Sequence, residues 1–115
     1  PNLLLPADGS SYNTSGETIT LQWAGVGTLL TNEAYEVSIE DITGDSGRRL
    51  VDYVRDTKYI VPMSFRPSDP SPHVIKWHVQ PVRQTNSQAD GTPIYSPAGS
   101  RSDNRTFIWS GVAVQ

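Results

Sequence analysis

The sequence predicts an all-β domain, a seven-stranded antiparallel sandwich of two sheets. Three observations lead to this fold class: apolar residues alternate with period two, turn-forming clusters separate the alternating segments, and helical periodicity is nearly absent. The chain has 115 residues with 9 Gly and 9 Pro, a length that suits one core and a composition that suits many turns. Residues 1–115 are therefore expected to form a single domain, and the start at Pro1 without Met suggests one module of a longer parent protein.

Three segments show the alternation most clearly, at residues 18–24, 34–40 and 73–80. In each of them every second side chain is apolar and the side chains between are mostly polar, which is the pattern of a strand with one buried face. The residues expected to point inward are Ile19, Leu21 and Trp23, then Tyr35, Val37 and Ile39, then Ile75, Trp77 and Val79. Three such strands must bury their apolar faces against one another or against a second sheet.

Four weaker segments complete the predicted set of strands. They are residues 2–6, 49–56, 57–62 and 105–111, and residues 7–11 are expected to form a turn after the first of them. Pro81 directly follows the strand at 73–80. Because proline cannot donate a ladder hydrogen bond, that strand is expected to end or bulge there.

The segments ITLQW, EAYEVSIED, KYIVP, IKWHVQPVR and RTFIW together resemble a fibronectin type III domain, an immunoglobulin-like family, or a bacterial relative of it. The resemblance covers essentially the whole chain, with Trp23, Tyr35 and Trp77 at the positions of the family's core aromatic residues. It implies that Trp23 packs between the two sheets. Trp77 departs from the family pattern, because tyrosine is more usual at its position.

The tetrapeptide GDSG at residues 44–47 is the sequence that surrounds the nucleophilic serine of chymotrypsin-like proteases. Such chemistry needs a histidine within hydrogen-bonding reach of Ser46 and a carboxylate that orients it. His73 and His78 are the two histidines, and both follow Ser46, whereas the histidine precedes the serine in those enzymes. A hairpin turn explains the same residues, since Gly tolerates positive φ and Asp and Ser bond to the local backbone. We therefore expect no catalytic residues and no enzymatic activity.

Metal and cofactor sites are not expected either. The two histidines are five positions apart on a predicted strand, which places them on opposite faces of the sheet. The acidic residues Asp41, Asp45 and Asp52 lack the ligand density of a dedicated calcium loop, so the calcium site is predicted to be weak or absent. The chain contains no cysteine, which excludes disulfides, thiolate zinc sites and thiol catalysis.

Charge and hydropathy exclude two classes of partner. The chain has 9 Lys and Arg against 12 Asp and Glu, a formal net charge of -3, and its basic residues form no stripe. Nucleic acid is therefore not an expected partner. No apolar run is long enough to cross a bilayer, so membrane insertion is not expected.

The functional prediction depends on residues 84–104, interpreted as a long connection between the last two strands. A connection of this length exceeds what a hairpin needs, and such loops commonly bind partners or are mobile. We expect a non-catalytic interaction or spacer module of an extracellular or cell-envelope protein, flanked by adjacent domains of its parent chain. It would contact a protein or a cell-wall glycan through residues 84–104, where Tyr95 would either present a ligand platform or cap the core.

The alternative is a carbohydrate-binding sandwich. In that class exposed aromatic side chains stack on sugar rings, and the candidates in this chain are Tyr12, Tyr53, Tyr95 and Trp109.

Overall fold

A computed structural model describes residues 2–14, 16–25, 27–43 and 47–111. These residues form nine β-strands in two sheets and one short 3-10 turn, with no α-helix among them. Within the same ranges no helix has the length and hydropathy to span a membrane. The predicted all-β, two-sheet fold is confirmed.

The strands are β1 (Leu3–Leu5), β2 (Ser10–Tyr12), β3 (Thr20–Trp23), β4 (Glu33–Asp41), β5 (Arg49–Val54), β6 (Lys58–Ile60), β7 (Pro72–Ser87), β8 (Pro93–Pro97) and β9 (Arg105–Ser110), with the 3-10 turn at Met63–Phe65. The smaller sheet has the order β1-β3-β6. The larger sheet has the order β2-β9-β7-β4-β5, and β8 pairs with β7 as its sixth strand. The predicted count of seven strands was too low, and β2 pairs with β9 in parallel, so the pairing is not wholly antiparallel.

The core lies between the two sheets and contains the aromatic residues that the alternation placed inward. Trp23, Tyr35 and Trp77 are all buried, and the rings of Trp23 and Tyr35 meet edge-on with centroids 5.6 Å apart. The same buried cluster contains Ile19, Leu21, Val37, Ile39, Val61, Phe65, Ile75, Val79, Phe107 and Trp109. Removing these side chains from water supplies the main driving force for folding.

Residues 7–11 were predicted as a turn, but their second half begins strand β2. After β1 the chain leaves the smaller sheet and joins the edge of the larger one beside β9. The Gly9 N–H donates to the Thr106 carbonyl oxygen at 2.8 Å, and the Thr106 N–H donates to Asp8 Oδ1 at 2.9 Å. The strand reads Ser-Ser-Tyr, which is too short and too polar to show an alternating pattern.

Strand β7 does not end at Pro81 as predicted, but continues through it with Pro81 opposite Tyr35 of β4. Along its other edge β7 pairs with β9 up to Trp77 and with β8 from Val82 onward. Pro81 lies in the gap between these two neighbours, so no strand requires its missing N–H. Its carbonyl oxygen accepts a hydrogen bond from the Ala98 N–H at 2.9 Å.

Ser102 takes the place of a strand partner in the same gap. The Val79 N–H donates to Ser102 Oγ at 2.9 Å, and the Ser102 N–H donates to the Val79 carbonyl oxygen at 2.8 Å. Ser102 is buried, and its hydroxyl donates to the Asp103 carbonyl oxygen at 3.0 Å. One serine therefore satisfies both backbone groups of a buried central strand.

Replacing Ser102 by alanine is expected to lower the free energy of unfolding by about 1 to 3 kcal/mol, because the Val79 N–H loses its acceptor while buried. Urea denaturation measures this difference. Ser100→Ala is the matched control, since Ser100 is exposed in the same connection, and its effect should stay within about 0.5 kcal/mol. Equal effects of the two substitutions would contradict the role assigned to Ser102.

The segment 84–104 is not the irregular connection that was predicted, because β7 extends into it and β8 returns alongside. At the turn, the Gln88 N–H donates to the Thr92 carbonyl oxygen at 2.8 Å, and the Gly91 N–H donates to the Gln88 carbonyl oxygen at 2.9 Å. Gly91 has a φ of 89°, a conformation that glycine adopts without steric cost. The connection without strand structure is reduced to residues 98–104.

Gly44, Asp45 and Ser46, three of the four residues of the GDSG tetrapeptide, lie outside the described residues. The strands on either side, β4 and β5, are antiparallel neighbours, with Glu40 opposite Arg49. The predicted hairpin turn at residues 44–47 therefore stays a prediction.

Candidate functional site

A group of polar and charged side chains lies on the face of the larger sheet that is turned away from the smaller sheet, which we call the outer face. The strand register places Glu40 of β4 opposite both Arg49 of β5 and Lys76 of β7, and Ser38 of β4 opposite His78 of β7. Arg49 Nη2 donates to Ser38 Oγ at 3.3 Å. These side chains alternate with the core residues of the same strands, so the pattern that builds the core also places them outside.

Arg101, in the connection between β8 and β9, completes a shallow cavity of about 160 Å³. We call it the cationic pocket, and its lining residues are Ser38, Glu40, Arg49, Lys76, His78 and Arg101. In the described part of the chain, neither the two arginines nor Lys76 forms an ion pair. Arg101 Nη2 donates to Asn104 Oδ1 at 2.9 Å. Three cations face one carboxylate, so the pocket is net positive in a chain of formal net charge -3.

His78 responds to the electrostatics of this pocket. Burial of the ring, followed by the positive charges of Arg101, Arg49 and Lys76, lowers the pKa of His78 to about 4, against a smaller opposing effect of Glu40. The imidazole is therefore neutral at physiological pH. Only the electrostatic part of this effect bears on an anion: the positive charges of Arg101, Arg49 and Lys76 that disfavour a proton on His78 attract a negative charge, whereas burial disfavours a charge of either sign.

A stacked pair of tyrosines joins β5 to β8. The rings of Tyr53 and Tyr95 are parallel to within 14°, with centroids 4.1 Å apart. Tyr53 is 39% exposed, and its hydroxyl donates to Glu36 Oε2 at 3.2 Å. Partial burial and the neighbouring Glu36 carboxylate raise the pKa of Tyr53. Tyr95 lies outside the buried core cluster, so it does not cap the core but stacks on Tyr53.

The other two aromatic candidates, Trp109 and Tyr12, pack within or against the core. Trp109 is completely buried, so its assignment as an exposed platform was wrong. Tyr12 is half-buried, and its ring packs edge-on against Phe107 with centroids 5.9 Å apart. Both belong to strands whose inward faces cover the core.

A second polar cluster connects β4, β7 and the segment before β7. His73 Nδ1 lies 2.8 Å from Asp41 Oδ2, and His73 Nε2 lies 3.1 Å from both carboxylate oxygens of Asp69. Asp41 is buried, whereas Asp69 is exposed and accepts hydrogen bonds from the backbone N–H and the hydroxyl of Ser71. His73 and His78 lie on opposite faces of β7, because they are five positions apart and successive side chains of a strand alternate between its faces.

His73 gains a proton more readily in the folded protein. Burial of the ring opposes protonation, but the hydrogen bonds and charges of Asp69 and Asp41 outweigh it and raise the pKa of His73. A raised folded-state pKa means that this stabilisation is fully present below the unfolded pKa of about 6.5 and is lost as pH rises through the folded value.

His73→Gln is expected to remove this pH dependence. The wild type should be more stable than the variant at mildly acidic pH, and the difference should shrink as pH rises above about 6.5. Urea denaturation of both proteins over a pH series measures the difference directly. Parallel pH profiles of the two proteins would show that the His73 contacts do not contribute.

The acidic residues considered for calcium are not gathered together. Asp52 accepts hydrogen bonds from the Tyr53 N–H at 2.8 Å and from the Tyr59 hydroxyl at 3.1 Å. Partial burial and this contact raise the pKa of Tyr59 to about 12. Asp41 bonds to His73, and Asp45 lies outside the described residues. Among those described, no group of three or more histidine and carboxylate side chains is arranged to hold a metal ion.

Comparison of the chain with protein-family models, with curated proteins and with solved structures finds no match. The function is therefore inferred from the geometry of the chain itself.

Proposed function

We propose that this chain is a non-catalytic interaction module of the fibronectin type III or immunoglobulin-like class, within a multidomain protein of the cell envelope or the extracellular space. The observation that carries the proposal is the outer face, where the net-positive cationic pocket and the exposed Tyr53 lie on one hydrogen-bonded sheet, and Arg49 of the pocket belongs to the same strand as Tyr53. Because the strands are hydrogen-bonded to one another, their backbone is ordered before binding, and the ordering cost is limited to the side chains.

The strand order supports the class. In immunoglobulin-like sandwiches strands A, B and E belong to one sheet, and strands C, F and G belong to the other. Here β1, β3 and β6 form the smaller sheet, while β4, β7 and β9 are neighbours in the larger one. The three strands of the smaller sheet thus correspond to A, B and E, and the three neighbours in the larger sheet correspond to C, F and G. Strand β5 lies beside β4, as strand C′ of variable-type domains lies beside strand C.

The geometry of His73 supports a non-catalytic role. In a Ser-His-Asp triad the histidine Nδ1 bonds to a carboxylate and Nε2 bonds to the nucleophile. In this chain Nε2 bonds to the carboxylate of Asp69, and the hydroxyl of Ser71 donates to Asp69. Both ring nitrogens of His73 are thus hydrogen-bonded to carboxylates. This favours a structural role, in which the histidine links β7 to Asp41 of β4.

A purified partner tests the proposal through matched double variants. The outer-face variant is Arg49→Gln with Tyr53→Ala, and the control is Lys58→Gln with Ile60→Ala, which removes one cation and one exposed apolar group from β6 of the smaller sheet. A partner captured from envelope fractions is purified, and its affinity for each protein is measured by calorimetry. We expect at least about tenfold weaker binding to the outer-face variant and unchanged binding to the control. Equal affinity for both variants, or no partner retained by the wild type, overturns the proposal.

A carbohydrate ligand is the second candidate, because the stacked Tyr53 and Tyr95 rings form an aromatic surface outside the core. All three tryptophans are buried, so tryptophan fluorescence would not sense a surface ligand, and amide NMR spectra are the suitable readout. If neutral oligosaccharides bind, Tyr53→Ala should abolish their effect on the spectra. Unchanged spectra across a panel of cell-wall oligosaccharides would exclude this candidate.

A further inference from the structure

We propose that the cationic pocket receives the carboxylate of a glutamate or aspartate side chain from the protein partner. This proposal rests on the proposed function, which assigns partner binding to the outer face, and it names the chemical group that is bound there. The cavity of about 160 Å³ is smaller than the roughly 300 to 1,000 Å³ of sites that enclose a small molecule. It is suited to the end of one side chain.

The charges of the pocket favour an anion. Glu40 lies opposite both Arg49 and Lys76, so its carboxylate offsets one of the three positive charges and leaves two unbalanced. Arg49 and Arg101 each use one nitrogen in the hydrogen bonds that the described residues make. Their other N–H groups can form charge-assisted hydrogen bonds to a carboxylate, which arginine binds in a bidentate manner.

The surroundings of the pocket favour a protein as the source of that carboxylate. Val51 belongs to β5, where it lies between Arg49 and Tyr53, and it is 38% exposed. Its partner on β4 is Ser38 of the pocket. Tyrosine and arginine are enriched at protein interfaces and dominate their binding energy. Strand β5 is also an edge of the described sheet, so its outer backbone groups can pair with an extended segment of a partner.

His78 provides a local readout because its ring lines the pocket. An anion bound beside Arg49, Lys76 and Arg101 would offset their charges and stabilise the protonated ring. By linkage, binding of the anion must then raise the pKa of His78.

The first experiment uses sulfate, which stays ionised throughout the titration of His78. NMR follows the His78 ring against pH in sodium sulfate and in sodium chloride of equal ionic strength. We expect sulfate to raise the pKa of His78, which starts at about 4, in a saturable manner by about 1 pH unit. Arg101→Gln should abolish the sulfate response, and Lys58→Gln should retain it. Equal responses to sulfate and chloride, or an unchanged response in Arg101→Gln, overturn the proposal.

The second experiment tests the source of the anion near neutral pH, where carboxylates are ionised. Hexaglutamate, hexaglutamine and a sulfated disaccharide are titrated while the His78 and Lys76 signals are followed. We expect hexaglutamate to bind saturably and hexaglutamine not to bind, with about tenfold weaker binding of hexaglutamate to Arg101→Gln. Tighter binding of the sulfated disaccharide would overturn the protein assignment in favour of an acidic glycan.

Amide spectra of each variant show whether it is folded. If Arg101→Gln is not, Lys76→Gln replaces it, because the Lys76 side chain makes no hydrogen bond within the described ranges. Arg101→Lys preserves the charge and should retain part of the sulfate response. If sulfate binds but no macromolecular partner is found, only the proposed function is overturned. If a partner binds but neither sulfate nor hexaglutamate gives a response, only the assignment of the pocket is overturned.

Discussion

Replacement of Trp77 by alanine is expected to lower the free energy of unfolding by about 3 to 5 kcal/mol. Trp77 is 0% exposed on β7, between Ile39 of β4 and Arg105 of β9. The truncation removes a large apolar surface and leaves a cavity that two hydrogen-bonded neighbouring strands cannot fill by moving. Small domains are stable by about 5 to 15 kcal/mol, so this loss is a large fraction of the total. Urea denaturation of the variant and the wild type measures it.

Ile60→Ala is the control for Trp77→Ala, because Ile60 is 64% exposed and loses little buried surface. Trp77→Phe separates volume from hydrogen bonding, since Trp77 Nε1 is buried without a partner among the described residues. The phenylalanine variant should therefore lose only packing and should be more stable than the alanine variant. If Trp77→Ala costs no more than Ile60→Ala, Trp77 does not belong to the core.

Replacement of Gly111 by alanine is expected to cost about 3 kcal/mol, at the upper end of the range for overpacking. The residue is buried, and its N–H donates to the Asp69 carbonyl oxygen at 2.7 Å. A Cβ atom built on Gly111 would fall on the carbonyl oxygens of Pro67 and Asp69. These are backbone atoms, so either the backbone at Pro67 and Asp69 or the backbone that carries Gly111 would have to move.

Gly99→Ala is the matched control, since the nearest atom to its added methyl group would be Pro81 Cγ at 3.2 Å. A side-chain ring can give way by a few tenths of an ångström, so its cost should be clearly smaller. Thermal unfolding of both variants measures the difference. Displacement of Asp69 in Gly111→Ala should also weaken its contact with His73 and lower the pKa of that histidine relative to the wild type. Equal stability of the two variants would contradict the close approach at Gly111.

The long strands were predictable because burial on one face imposes a period of two on the sequence. Trp23, Tyr35 and Trp77 therefore identified the inward face before the sheets were known, and all three are buried. The shorter strands were not predictable in this way. Strand β2 has three residues, and β8 contains two prolines, so neither shows the alternation. The Asp90-Gly91 pair was the available signal for the hairpin between β7 and β8, since this dipeptide favours tight turns.

The pocket could not be derived from the chain order of its residues. Arg49, Lys76 and Arg101 are separated by about 25 residues each in the sequence, and each alone looks like an ordinary exposed cation. Outward positions on neighbouring strands were a partial signal, since Arg49 and Lys76 both lie opposite Glu40 once the register is known. Arg101 had no such signal, because it belongs to a connection without a periodic pattern.

The period-two alternation, the turn-forming clusters and the lack of helical periodicity were sufficient to predict an all-β chain, since each is a local property of the sequence. The two sheets followed from the need to bury the apolar faces of several such strands. Which strands become neighbours, where β7 passes through Pro81, and which charges meet on the outer face depend on contacts between distant residues. Those contacts are set by how the two sheets share one core and by which backbone groups still need partners, and both are properties of the assembled structure.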